Sequence, residues 1–285
     1  MPASQFKRFL IRRGVRHELD ERVERAVMHV NSAGFDDWGL DPQTLKATLS
    51  VTEWIYRKYF RVRAENIDRI PEGRVLLVAN HGGQVPLDGM LIAMSVLLDG
   101  EPPRIARGMV ERWFPSLPFI STLFMRCGGM VGDSRNCRLL LDREECVLVF
   151  PEGVKGSGKS IYDRYKLQKF GTGFVRLALE ARAPIVPVGV IGCEETYPGI
   201  FNFKKLAKLV GAPYLPVTPF FPLLGALGML PLPTQVSLRF GKPIHFDMDP
   251  EAPDSEIEKL VEQVRAALDG EIQTGLAERG GKLFG

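Results

Sequence analysis

The chain has 285 residues, 45% of them hydrophobic and 25% charged, with a formal net charge of +3. These proportions belong to an ordinary globular protein, long enough for one large domain or a domain plus a smaller helical region, and the charge is too small to argue for nucleic acid. The four cysteines, Cys127, Cys137, Cys146 and Cys193, contain no C-x-x-C pair, so neither a zinc site nor a disulfide scaffold is indicated and reduced thiols in a cytosolic protein are expected.

Lys7, Arg8, Arg12, Arg13 and Arg16 fall within the first sixteen residues, where there is no acid. Such a cluster suits an anionic surface such as lipid headgroups, or simply a solvated helix end. No secretory leader pattern is present. Residues 1–60 read as helical: 18–30 pair their charges, and Leu45, Leu49, Val51, Ile55 and Tyr59 recur at helical intervals over 42–60. Trp38, Trp54, Ile55, Tyr56 and Tyr59 can cover the core or dip into a membrane interface, and core cover is the expectation. Residues 59–62 read as a short strand, which suggests an N-terminal helical, membrane-associating region over 1–58 and an α/β domain over 59–285.

Residues 75–79 (VLLVA) form a continuous apolar run that predicts a buried strand. The run ends at Asn80, His81 and two glycines, and Pro86 then opens an apolar helix over 87–98. A histidine thus stands where a strand gives way to a helix, and Asp88 follows on the first helical turn. Active sites of open α/β sheets lie at such strand ends, and a His with an Asp so placed can act as a base and its orienter. The plainer alternative is a hydrogen-bonded loop histidine and an acid favoured by the helix dipole.

Further along, 104–109 reads as a strand, and Pro115 and Pro118 break the apolar stretch 111–125. Ser134 is expected to cap a helix over 135–144. Residues 146–150 form a second buried strand that runs into Pro151-Glu152-Gly153. Gly153 to Ser160, GVKGSGKS, matches the letters of a phosphate loop. A true phosphate loop is followed at once by a helix, whereas the next convincing helix spans 174–182, which argues against nucleotide binding. A third buried strand covers 184–192, another 235–240, and an amphipathic helix 254–277. Residues 209–238 carry no charge but hold six prolines from Pro213 to Pro233; they cannot form a regular spanning helix and are expected to face lipid, line an acyl chain or enter the core. The fold class is α/β: a largely parallel mixed sheet flanked by helices, with an N-terminal helical region.

Asn80-His81 with Asp88, Gly129 to Arg135, Phe150-Pro151-Glu152-Gly153 and Ile185-Val186-Pro187-Val188 occur in that order. With these four blocks the chain resembles the phospholipid/glycerol acyltransferase family, which includes lysophosphatidic acid and glycerol-3-phosphate acyltransferases. The resemblance runs from about residue 59 to 246. The segment after Glu194-Glu195-Thr196-Tyr197 is similar to the diacylglycerol-acyltransferase-like branch. Six residues separate His81 from Asp88 where the family has four, so the extra length must loop out for the two to meet. Val154-Lys155-Gly156 stands where the family has Thr-Arg-Ser.

The resemblance implies transfer of a fatty acyl group from acyl-CoA or acyl-carrier protein to a hydroxyl of a lysophospholipid or glycerolipid. It implies His81 as general base, Asp88 as its orienter, Arg135 and Lys155 on a phosphate, and Glu152 on an acceptor hydroxyl. Asn80 and Gly153 are placed with the substrate-binding residues, and backbone N–H groups near Gly82-Gly83 or Gly153 are candidates for the oxyanion. No cofactor or metal is implied; the partners are the acyl carrier, a lipid acceptor and the inner face of a membrane, to which a cytoplasmic protein would bind peripherally. The alternatives are an acyl-thioester or ester hydrolase and a non-catalytic peripheral lipid-binding protein.

Overall fold

The computed structural model describes residues 17–27, 29–82, 87–112, 114–116, 119–153, 156, 159, 161–198, 201–202, 216–217, 225, 228 and 230–280. Five basic residues near the N-terminus, Lys155 and most of 209–230 lie outside these, and with them the expectations placed there.

Nine strands are described: β1 (Arg63–Glu65), β2 (Val75–Ala79), β3 (Ala106–Val110), β4 (Met130–Val131), β5 (Cys146–Val149), β6 (Ile185–Ile191), β7 (Phe201–Asn202), β8 (Pro216–Val217) and β9 (Ser237–Phe240). Seven form one sheet in the order β1-β9-β6-β2-β5-β3-β4, while β7 and β8 pair separately. Within the large sheet every neighbouring pair is parallel except β6–β9. Around it lie α1 (His17–Ala26), α2 (Pro42–Trp54), α3 (Leu87–Leu98), α4 (Ile120–Arg126), α5 (Ser134–Asp142), α6 (Gly173–Ala181) and α7 (Asp254–Arg279). The sheet is thus the largely parallel, helix-flanked mixed sheet that the alternation of apolar strands and helices predicts.

Strand alternation sorts the core into two layers. Val75, Leu77 and Ala79 of β2 join α1, α2 and α3 in one cluster. Leu76 and Val78 face the other way, toward α5, α6 and α7. A period of two with both faces covered is why β2 reads as unbroken apolar sequence. Burying each such Val or Leu side chain contributes about 1.5–3 kcal/mol.

Three expectations are corrected. Residues 59–62 are not a strand: α2 runs on into a π-helical turn, Ile55–Tyr59, closed by Phe60 N–H donating to Ile55 O at 2.9 Å, and β1 starts at Arg63. Tyr56 and Phe60 are fully buried, so tertiary packing decides this short aromatic run. Asp133, not Ser134, caps α5 by accepting the Asn136 N–H at 2.8 Å; Ser134 is already helical. Trp54 does not cover the core but stands 61% exposed. Among the described residues no helix is long and apolar enough to cross a membrane.

Gly189 lets α7 lie directly on β6. A Cβ there would stand 3.1 Å from Glu271 Cβ and 3.2 Å from the backbone of Glu271 and Ile272. Gly189→Ala should therefore destabilise the fold by about 1–3 kcal/mol, the usual range for overpacking, read as a lower urea midpoint. An unchanged midpoint would show that α7 shifts outward freely.

Candidate active site

β2 is flanked by β5 and β6, both parallel to it, so all three deliver their carboxyl ends to one edge of the sheet. The last β2–β6 pair is Ala79 with Val188. Asn80 extends that ladder with its side chain: its carboxamide donates to Val190 O at 3.0 Å and accepts the Val190 N–H at 2.7 Å. Asn80 is fully buried, and both its polar ends are engaged by β6. It was expected to bind substrate; the structure makes it a strap between strands that sets the direction in which His81 leaves the sheet.

His81 and Asp88 do meet. His81 Nδ1 lies 2.6 Å from Asp88 Oδ2. The same carboxylate accepts the N–H of Gly82 at 2.8 Å and of Gly89 at 2.8 Å, and Asp88 is fully buried in the first turn of α3. A carboxylate can only accept, so Nδ1 carries the proton, and in the neutral ring Nε2 keeps its lone pair. Six intervening residues therefore do not keep the pair apart, and the wide separation that would favour a non-catalytic protein is not found. Burial disfavours the charged imidazole and Lys159 opposes it too. The charge and hydrogen bond of Asp88, with the charge of Glu152, outweigh both and raise the His81 pKa above its ordinary value. Phe150 covers part of the ring, with centroids 4.5 Å apart, and the side chain keeps 14% exposure.

Glu152, at the end of β5, sits inside the wall of the site. Its Oε1 accepts the His81 N–H at 3.0 Å and its Oε2 the Gln168 N–H at 2.8 Å. Lys159 Nζ stands 2.7 Å from the same Oε2. The carboxylate that was expected to hold an acceptor hydroxyl is thus occupied by two backbone donors and an ammonium. Gly156 closes the wall, because a Cβ there would come within 2.8 Å of both His81 and Glu152 Cβ atoms.

The other expected residues are placed as follows. Arg135 is exposed on the first turn of α5, just beyond β4. β4 is three strands from β2 in a parallel run, so Arg135 shares the carboxyl edge at about 14 Å by ordinary strand spacing. The Gly153 N–H donates to Phe150 O at 3.0 Å and that of Gly82 to Asp88, so both oxyanion candidates are already engaged. Gly83 and Lys155 lie outside the described residues.

Sequence reasoning missed Lys159 and Glu194. Lys159 was only a letter in a phosphate-loop pattern; its ammonium lies between two carboxylates, 3.9 Å from Glu194 Oε1 on the far side. The Glu194 carboxyl is pushed up to about 8, chiefly by burial, with Lys159 and the Tyr165 N–H opposing and Glu195 and Glu152 adding to the rise. The neighbouring Cys193 thiol is also pushed well up by burial, which removes it as a thiolate nucleophile. Among the described residues no group of three or more His, Cys, Asp or Glu could hold a metal ion.

Residues 61–191 match the protein family described as Acyltransferase, a span that contains His81, Asp88, Arg135 and Glu152. The chain is 37% identical over 257 residues to an uncharacterised protein of Mycobacterium leprae (strain TN), covering 88% of this chain and 70% of that one. The same identity and span hold for an uncharacterised protein of Mycobacterium tuberculosis H37Rv, of which 72% is covered. A Gallus gallus protein described as a DGAT1/2-independent enzyme synthesizing storage lipids is 24% identical over 208 residues, 72% of this chain and 57% of that one. Among solved structures, the 1-acyl-sn-glycerophosphate acyltransferase PlsC of Thermotoga maritima superposes with a TM-score of 0.48 at 18% identity, over 80% of this chain and 81% of that one. The chain belongs to the acyltransferase family.

Replacing Asn80 with Ala would leave the N–H and C=O of Val190 unpaired in the interior. Asn80→Ala should cost at least about 1–3 kcal/mol, the penalty for unsatisfied buried polar groups, measured by chemical denaturation. Wild-type stability would show that water takes over the carboxamide's bonds.

Proposed function

We propose that this protein moves a fatty acyl group from acyl-CoA or acyl-carrier protein to a hydroxyl of a lysophospholipid or glycerolipid. The observation that carries the reading is the 2.6 Å contact between His81 Nδ1 and Asp88, which turns Nε2 into a base at the carboxyl edge of the sheet. An alcohol is a poor nucleophile at neutral pH, so its proton must leave as attack proceeds. His81 Nε2 takes that proton while the hydroxyl oxygen attacks the thioester carbonyl. The tetrahedral intermediate collapses, the C–S bond breaks, and the imidazolium returns the proton to the departing thiolate. Asp88 holds the tautomer and stabilises the imidazolium without being protonated itself. Transfer is direct, with no covalent enzyme intermediate, in keeping with the high pKa of the buried Cys193 thiol.

On this reading Arg135 meets a phosphate on the acceptor or on coenzyme A. The protein would work at the inner face of a membrane, to which Phe119, Ile120 and Leu123 offer apolar surface on and beside α4: Phe119 is 87% exposed and Ile120 59%.

His81→Ala should lower the rate of transfer from labelled acyl-CoA by about 10²–10⁴-fold, the span of a general base, while a cooperative unfolding transition is kept. Retained activity would remove the base. Catalysis needs neutral His81, so kcat/KM should rise with pH through a midpoint above the ordinary histidine value. Asp88→Asn removes the group that favours the charged ring, so its residual activity should show that midpoint moved to lower pH. Arg135→Ala should weaken a phosphorylated acceptor far more than a neutral one; equal losses would argue against a phosphate at Arg135.

A further inference from the structure

Lys159 is the one buried cation in the wall behind His81 among the described residues. Its side chain is 5% exposed, with Nζ 2.7 Å from Glu152 Oε2 and 3.9 Å from Glu194 Oε1. The shorter approach is an ion pair without hydrogen-bond alignment, since Nζ has no hydrogen-bond partner among the described residues. Glu194 Oε1 is buried and likewise without one. Lys159 and Glu152 both belong to the loop after β5, and Glu194 faces them from the turn after β6. Glu152 in turn grips the His81 N–H.

We propose that Lys159 is a positioning residue that acts on His81 through Glu152, holding against the imidazole the carboxylate that accepts the His81 N–H.

A stabilising role alone accounts poorly for this ammonium. Glu152 already accepts two backbone N–H bonds, and a buried ion pair is often no more stable than an apolar pair of similar volume. What an apolar residue could not supply is a positive charge that opposes the imidazolium. Among the described residues, the charged groups that act on His81 are Asp88 from α3, and Glu152 and Lys159 from the loop after β5. The first two favour the imidazolium and Lys159 opposes it. Glu194, pushed up to about 8, is largely uncharged near neutrality. Glu195 is held by the Tyr165 hydroxyl at 2.7 and 2.8 Å. Lys159 therefore counters Asp88, keeping more of the base neutral at a given pH.

The kinetic side of this inference rests on the reading of His81 as base; the electrostatic side does not. The test uses the full chain with Lys159→Met and Lys159→Arg. The four histidine imidazoles are titrated by NMR, and His81→Asn identifies the signal of His81. Lys159→Met should raise the His81 midpoint above wild type, because the positive charge that opposes the imidazolium is gone. Lys159→Arg should leave the midpoint in place. Lys159→Met should also lower kcat by about ten- to a hundred-fold, as small misplacements of a catalytic group do, with little change in KM. Its acid limb should move to higher pH, opposite to that of Asp88→Asn.

An unchanged or lowered His81 midpoint in folded Lys159→Met overturns the proposal, whatever the kinetics. If Lys159→Met and Lys159→Gln both lose cooperative unfolding, the proposal is also overturned, since the residue would then serve the fold. An active His81→Ala removes the base reading alone. A dead His81→Ala beside a Lys159→Met that titrates like wild type removes the Lys159 inference alone.

Discussion

The point at which β2 stops governs the site. That strand is buried on both faces and held between two parallel neighbours, so its register is fixed. One residue beyond its end, the Asn80 carboxamide is anchored to Val190, and His81 leaves the sheet in a set direction. β5 and β6 end at the same edge, so Glu152 and Glu194 arrive on either side of it. Had either strand run antiparallel to β2, its carboxyl end would lie at the opposite edge and the wall behind the imidazole would lack that carboxylate.

On the proposed reading, placing the histidine there sets fold stability against activity. A group whose folded pKa is raised contributes stability that is fully present below its unfolded pKa and is lost as pH rises through the folded value. The His81–Asp88 interaction therefore supports the fold most when the ring is protonated, which is the form unable to accept a proton. Asp88 orients the ring but also pulls the equilibrium toward the charged form, which on the proposed reading is the inactive one. A neighbouring positive charge offsets that pull without disturbing the Nδ1 bond. The cluster His81, Asp88, Glu152 and Lys159 has one group on each side of this balance beyond the dyad itself.

Much of this arrangement was legible in the residues. β2 and α3 fall on the expected bounds because each is long or apolar enough for pattern to decide, and punctuated by turn formers. His81 and Asp88 were readable as a pair because strand, glycines and helix follow one another within fourteen residues, 75–88. What escaped depends on contacts between distant segments. Nothing in Asn80 says that its partner lies at Val190. Nothing in GVKGSGKS says that the second lysine turns inward to Glu152, because glycine-rich sequence leaves the path of the backbone open. The choice between Asp133 and Ser134 as cap was lost for a local reason: both residue types cap well, and one step in register decides between them. The π-helical turn at Ile55–Tyr59 exists because Tyr56 and Phe60 are both drawn into the core, a demand that propensity alone does not express.

The position of Glu152 bears on how an acceptor could be recognised. Both its oxygens are already bonded inside the wall, Phe150 covers part of the ring, and Gly156 packs against His81 and Glu152. The Phe150-Pro151-Glu152-Gly153 block therefore shapes and charges the back of the site. A hydroxyl that gives its proton to Nε2 has to come from the side this loop leaves open. On the proposed reading, selection among acceptors falls to groups along the carboxyl edge of the sheet, where the parallel run from β2 to β4 brings the exposed Arg135. A guanidinium that far from the base discriminates by reach as well as by charge, since only a substrate spanning several strands touches both.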